Sequence, residues 1–166
     1  RGRGKSSALG IACAKILADK PQRILITAPT IAAVAPVFYH AFECSDSTIS
    51  HKKKGRVEVG DGYIQFVAPD ELLSSKPECD LLLVDEASAI PLPMLIQITQ
   101  HYHRLVFSST IHGYEGSGRG FTLKFTQWLK NARPGMRSLH LKQPIRWADN
   151  DPLELWSYDA FVLNPE

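Results

Sequence analysis

Two kinds of apolar run alternate along this chain, and their alternation sets the expected fold. Residues 7–19 (SALGIACAKILAD) hold apolar positions at helical spacing, whereas 23–28 (RILITA) is one short unbroken run between Pro21 and Pro29. The first predicts a helix and the second a buried strand. A helix over 31–42 follows, interrupted or kinked at Pro36. The buried-strand pattern returns at 80–85 (DLLLVD), a helix entered through Pro91 and Pro93 runs to about His101, and 104–108 (RLVFS) is the next strand. A glycine-rich loop at 113–120 leads to a helix over 121–131, a turn at Pro134-Gly135 and a strand over 136–141. Beyond Pro144 the chain reads as extended, with no strong period.

One stretch breaks this rhythm. Residues 43–62 are polar and lysine-rich and are punctuated by Gly55, Gly60, Asp61 and Gly62. Within and just after them, 56–59 and 63–67 alternate well enough for two strands joined by a tight Gly-Asp-Gly turn. Asp70 is expected to cap a short helix over 70–75. Fully apolar strands separated by helices require a sheet covered on both faces. The expected architecture is therefore α/β: a doubly wound, mainly parallel sheet in one domain over 1–166, with 43–67 as a basic insert and hairpin.

Composition narrows the picture. The chain has 166 residues, 44% hydrophobic and 22% charged, which suits one globular domain with a sizeable core. Its net charge of +2 is too small to announce a nucleic-acid binder, although basic residues gather at Arg1 and Arg3, at 51–56 (HKKKGR) and at 133–146. The three cysteines lie far apart with no CxxC pair; Cys13 falls among apolar helix residues and Cys79 just before an apolar strand, so buried free thiols in a reducing compartment are expected. The six histidines have no metal-ligand spacing. No apolar run approaches the ~18 residues of a membrane span and nothing resembles a signal peptide, so a cytoplasmic location is expected.

The candidate chemistry lies at strand and helix ends. Gly4-Lys5-Ser6, immediately before the first helix, is the back half of a phosphate-binding P-loop. Glycine lets backbone N–H groups converge on phosphate oxygens, Lys5 would reach the β- and γ-phosphates, and the Ser6 hydroxyl would hold Mg²⁺. The glycine and strand that begin a full P-loop would precede Arg1, so the chain is expected to be cut inside its own motif. Asp85, closing an apolar strand, fits the Mg²⁺-holding acid of a P-loop NTPase, and Glu86 beside it fits the general base for the attacking water. The hydroxyls of Ser108, Ser109 and Thr110 fit a sensor of the γ-phosphate at the next strand end.

Four blocks, RGRGKSS at 1–7, LLVDEASAIP at 82–91, STIHGYEGSGRGF at 109–121 and QPIRWADNDPLE at 143–154, resemble in order the helicase-like module of the tRNA(Met) cytidine acetyltransferases. The resemblance implies a RecA-like P-loop lobe lacking its first strand. It also implies a parent enzyme that acetylates N4 of the wobble cytidine of elongator tRNA(Met) with acetyl-CoA and ATP. Gly2, Arg3, Gly4, Lys5, Ser6, Ser7 and Arg146 would then contact ATP, and Arg119 would touch phosphate or RNA. No acetyl-CoA-binding pattern occurs in this chain; in the family it belongs to a later domain, which would be a partner on the same polypeptide. The 44–54 insert is longer than the compact bacterial form of the family leads one to expect.

tRNA is the expected macromolecular partner, with Lys52, Lys53, Lys54 and Arg56 touching RNA backbone. Phe121, Phe125 and Trp128 stand at helical spacing and read as core, and no aromatic platform for bases stands out. Two other functions fit the motifs: a RecA-like platform that binds nucleotide or RNA without turnover, and a lobe of a stand-alone helicase. A pure binder has no use for Glu86, and a stand-alone helicase needs a second motor lobe with its own arginine finger.

Overall fold

The apolar runs at 23–28 and 80–85 become neighbouring parallel strands, β1 (Arg23–Thr27) and β5 (Leu81–Val84), paired Ile24 to Leu81 through Thr27 to Val84. All four residues of β5 are buried, as a strand covered on both faces must be. Around this pair the described residues form a six-stranded sheet with β2 (Ser50–Lys53), β3 (Arg56–Val59), β4 (Gly62–Phe66) and β6 (Leu105–Phe107), in the order β2-β3-β4-β1-β5-β6. β4, β1, β5 and β6 run parallel, and β2-β3-β4 is an antiparallel meander. The doubly wound, mainly parallel α/β expectation therefore holds, with a mixed edge.

The computed structural model describes residues 4–110 and 117–141. These fall in two compact units, Ser6–Ser109 and a unit of Arg1–Lys5 with Thr110–Glu166. The whole sheet belongs to the first.

In that unit α1 (Lys5–Asp19) and α2 (Ala35–Glu43) cover one sheet face. Cys13, Leu17, Val37, Phe38 and Ala41 pack there with Ile24, Ile26, Val57, Val59 and Ile64. Each such fully buried aliphatic side chain contributes about 1.5–3 kcal/mol of transfer free energy. The Cys13 thiol is pushed up to about 12 by burial, so it stays protonated and unreactive. Leu25, Leu82 and Val84 alternate to the other face. α3 (Pro69–Ser75) and α4 (Leu92–His101) pack on each other and bury Leu72, Leu95 and Ile98. No helix of the described residues is long and apolar enough to cross a membrane.

Helix α1 approaches α2 closely at Gly10. A Cβ there would stand 2.5 Å from the Val37 carbonyl oxygen and 2.9 Å from His40 Cβ. Gly10→Ala gains about 1 kcal/mol of helix propensity, but overpacking against backbone costs about 1–3 kcal/mol. The substitution is expected to destabilise, seen as a lower urea midpoint. An unchanged or raised midpoint would contradict this packing.

Several boundaries differ from the expectation. β2 was not anticipated, because Ser50-His51-Lys52-Lys53 has little strand propensity. Pairing with β3 makes it a strand, and its lysines protect an exposed sheet edge. Asp70 is not a cap: Pro69 starts α3 one residue earlier, leaving Ala68 at the cap and Asp70 in the first turn. The 31–42 helix begins as a 3₁₀ turn (Ile31–Val34) and becomes α-helical at Ala35, with Pro36 in the first turn, where its missing N–H costs nothing.

In the second unit α5 (Ser117–Ala132) starts four residues before the expected Phe121. Gly118 and Gly120 fall in its first turn, where N–H groups have no intrahelical partner. Phe125 and Leu129 are buried, and Trp128 stacks on Phe125 with centroids 6.1 Å apart. Residues 136–141 are not a strand; Leu139 is 93% exposed, and among the described residues this apolar alternation pairs with no strand.

Candidate functional site

Groups that end parallel strands gather at the carboxyl edge of the sheet. β5 ends in Asp85, which is fully buried. Its backbone N–H donates to the Thr27 carbonyl at the end of β1, 2.9 Å away. Ser6, in the first turn of α1, donates its hydroxyl to Asp85 Oδ2 at 2.9 Å. The Glu86 N–H donates to Asp85 Oδ1 at 3.0 Å. Folding thus brings together the serine of the Gly-Lys-Ser turn and the acid that closes the distant apolar strand.

The donor set fits Mg²⁺. Carboxylate and hydroxyl oxygens are hard ligands, and Mg²⁺ keeps several waters while taking further oxygens from substrate phosphates. Among the described residues no three His, Cys, Asp or Glu side chains group so as to hold a metal unaided.

Glu86 leaves the strand in the left-handed region, φ 51° and ψ 41°. For a residue with a side chain this conformation is uncommon and costs on the order of 1–3 kcal/mol. Neighbouring bonds hold it: Ala87 N–H donates to the Ser108 carbonyl at 3.0 Å, and Ala89 N–H to the Glu86 carbonyl at 2.9 Å. The Ser108 and Thr27 hydroxyls, at the ends of β6 and β1, are buried and have no hydrogen-bond partner among the described residues. Leaving a buried hydroxyl unpaired costs about 1–3 kcal/mol. The strained Glu86 backbone and the Thr27 hydroxyl carry no signal in local sequence pattern, whereas Ser108 belongs to the hydroxyl run expected at this strand end.

In the other unit Gly4 has φ 74°, a conformation that glycine adopts without strain, and Lys5 Nζ donates to Thr110 Oγ1 at 3.2 Å. Lys5, Ser6 and Ser7 are consecutive, half-buried residues of the first turn of α1. Gly2, Arg3 and Arg146 lie outside the described residues, as does the side chain of Arg119 in the first turn of α5.

The basic run at 51–56 is not one patch. Strand alternation sends Lys52 to the helix-covered side of the sheet with its register partner Val57, and His51 and Lys53 to the other side with Glu58 and Arg56. Arg56 is already engaged: it donates to Glu58 Oε1 at 2.8 Å and to Gln65 Oε1, and its guanidinium lies 4.0 Å from the Tyr63 ring centroid. The Glu58 carboxyl is held below its usual range by the Arg56 hydrogen bond first and Lys53 second. A cleft of about 410 Å³ opens at the opposite, amino edge of the sheet. Arg23 and Asp80 in its lining pair with each other, and the Tyr102 hydroxyl donates to the Pro77 carbonyl.

A family model described as RNA cytidine acetyltransferase NAT10/TcmA, helicase domain, matches residues 1–164. Among curated relatives, the chain is 55% identical over its full length to the tRNA(Met) cytidine acetyltransferase TmcA of Vibrio cholerae, covering 23% of that protein. It is 45% identical to the TmcA of Nitrosococcus halophilus over 99% of the chain and 22% of the relative. The chain thus spans less than a quarter of the length of these relatives. A large terminase ATPase domain from Thermus phage P74-26 superposes with a TM-score of 0.49 at 15% identity, covering 86% of this chain and 83% of that one.

Proposed function

Since the chain belongs to the helicase-domain family of the RNA cytidine acetyltransferases, we propose that it is the module that binds and hydrolyses ATP in an enzyme forming N4-acetylcytidine at the wobble position of elongator tRNA(Met). The acetyl group would come from acetyl-CoA, held by an acetyltransferase domain of the same polypeptide, and the enzyme would work in the cytoplasm. The observation that carries this proposal is the 2.9 Å hydrogen bond from Ser6 to buried Asp85, because these two oxygens are what a Mg²⁺–nucleotide site needs side by side.

In this proposal Gly2, Arg3, Gly4, Lys5, Ser6 and Ser7 cradle the phosphates, and Lys5 moves from Thr110 to the β- and γ-phosphates. Ser6 and Asp85 hold Mg²⁺, which when bound neutralises charge on the phosphate oxygens. Glu86 takes the proton of the water that attacks the γ-phosphorus as the bond to the ADP oxygen breaks. Ser108 offers its buried hydroxyl to the γ-phosphate. Arg146 contributes a guanidinium that can span two phosphate oxygens, which a lysine cannot reproduce.

Asp85→Asn tests the carrying observation. Asn is close in size, so the fold should persist while one anionic ligand is lost. ATP is expected to bind more weakly with Mg²⁺ present and about equally with EDTA, measured by nucleotide titration in both conditions. Equal affinity of variant and wild type with Mg²⁺ would remove Asp85 from the metal site.

A further inference from the structure

Exposed aromatic residues are scarce on the sheet-bearing unit, and Tyr39 is the exception. It stands on α2 and is 53% exposed. The His40 ring meets it edge-on at 5.2 Å and 86°. Lys52, on the same side of the sheet as α2, holds its ammonium 5.8 Å from the ring centroid. That is the outer limit of a cation–π contact, so the ammonium can turn to another partner at little cost.

The Lys54-Gly55 turn follows directly on β2, two residues beyond Lys52, and is fixed in place. Gly55 has φ 71°, its carbonyl accepts the Phe66 N–H at 2.8 Å, and Ile31 Cδ1 stands 3.1 Å from where a Gly55 Cβ would lie. Phe66 ends β4, and Ile31 follows the end of β1, so this surface lies at the same carboxyl edge as Thr27 and Asp85.

We propose that Tyr39, Lys52 and Lys54 form a platform for an unpaired stretch of RNA, with one base stacked on the phenol ring and the flanking phosphates on the two ammonium groups. This rests on the RNA-handling function proposed above and names the kind of strand it takes. Glu43, exposed one turn beyond Tyr39, is the single acid on α2 against the exposed Lys52 and Lys54, so charge favours a phosphate polymer. Glu58 lies on the far side of the sheet, engaged with Arg56, and the Asp46 carboxylate accepts the N–H and hydroxyl of Thr48 at 2.9 and 2.7 Å. An acidic peptide would use the lysines but not the exposed ring. A duplex, whose bases are stacked inside, would leave Tyr39 unused.

The test is fluorescence anisotropy of a labelled single-stranded RNA and of a duplex of equal length on the full-length protein, over a salt series. Tyr39→Ala is expected to weaken single-strand binding roughly 5- to 100-fold, the loss of one stacked base, with the salt slope and duplex binding unchanged. Tyr39→Phe should bind like wild type, which controls for folding. Lys52→Ala with Lys54→Ala should flatten the salt slope by about 1.4, at ~0.7 per phosphate contact on a single strand. If wild type binds single-stranded RNA and Tyr39→Ala matches it, or loses single strand and duplex equally, the platform is refuted while the RNA-handling function stands. If wild type binds neither RNA but still turns over ATP, both fail. Displacement of the RNA by polyglutamate at matched ionic strength would also refute it, in favour of an acidic protein partner.

Discussion

Glu86→Gln is expected to leave Mg²⁺–ATP binding nearly unchanged and to slow hydrolysis roughly 10²–10⁴-fold, the contribution of a positioned general base. The amide keeps the size of the carboxylate and the left-handed backbone at this position, so the loss isolates the proton acceptor. Asp85 and Glu86 are adjacent in sequence, yet the structure separates their environments. Asp85 is buried and bonded to Ser6, whereas Glu86 is half-buried beyond the strand end. Nucleotide titration beside a phosphate-release assay distinguishes the two roles. A normal rate in Glu86→Gln would remove Glu86 from the chemistry.

Lys5→Ala is expected to take ATPase activity below detection with the thermal midpoint unchanged. Lys5 is half-buried in the first turn of α1 and, among the described residues, donates to Thr110 Oγ1 at 3.2 Å, a long bond at a partly exposed site. Its charge is therefore dispensable for folding, and phosphate binding is the role that needs it. Unaltered turnover in the variant would refute the P-loop assignment.

The apolar runs made the centre of the fold legible. RILIT and LLLV are dense enough to demand burial on both faces, and both are central parallel strands. Asp85 and Ser6 were legible as a pair because each belongs to a motif whose chemistry requires the other. What stayed hidden depends on pairing rather than on propensity. Ser50-His51-Lys52-Lys53 becomes β2 only by lying against β3, and that pairing puts Lys52 near Tyr39 and Lys53 on the opposite side. Tyr39 sits in an apolar helix pattern that gives no hint of its exposure. Arg56 reads as part of a basic run, whereas Glu58 on its own strand and Tyr63 and Gln65 on the neighbouring one take up the guanidinium. The 136–141 run fails the other way: it alternates like a strand and finds no ladder among the described residues.

The central claim is turnover at the carboxyl edge of this sheet, as opposed to a platform that only holds nucleotide. Phosphate release from ATP by the full-length protein, with and without RNA and with Mg²⁺ or EDTA, tests it most directly. The account predicts Mg²⁺-dependent release in the wild type that disappears in Glu86→Gln while ATP remains bound. Tight ATP binding with no phosphate release, whether or not RNA is present, would contradict it.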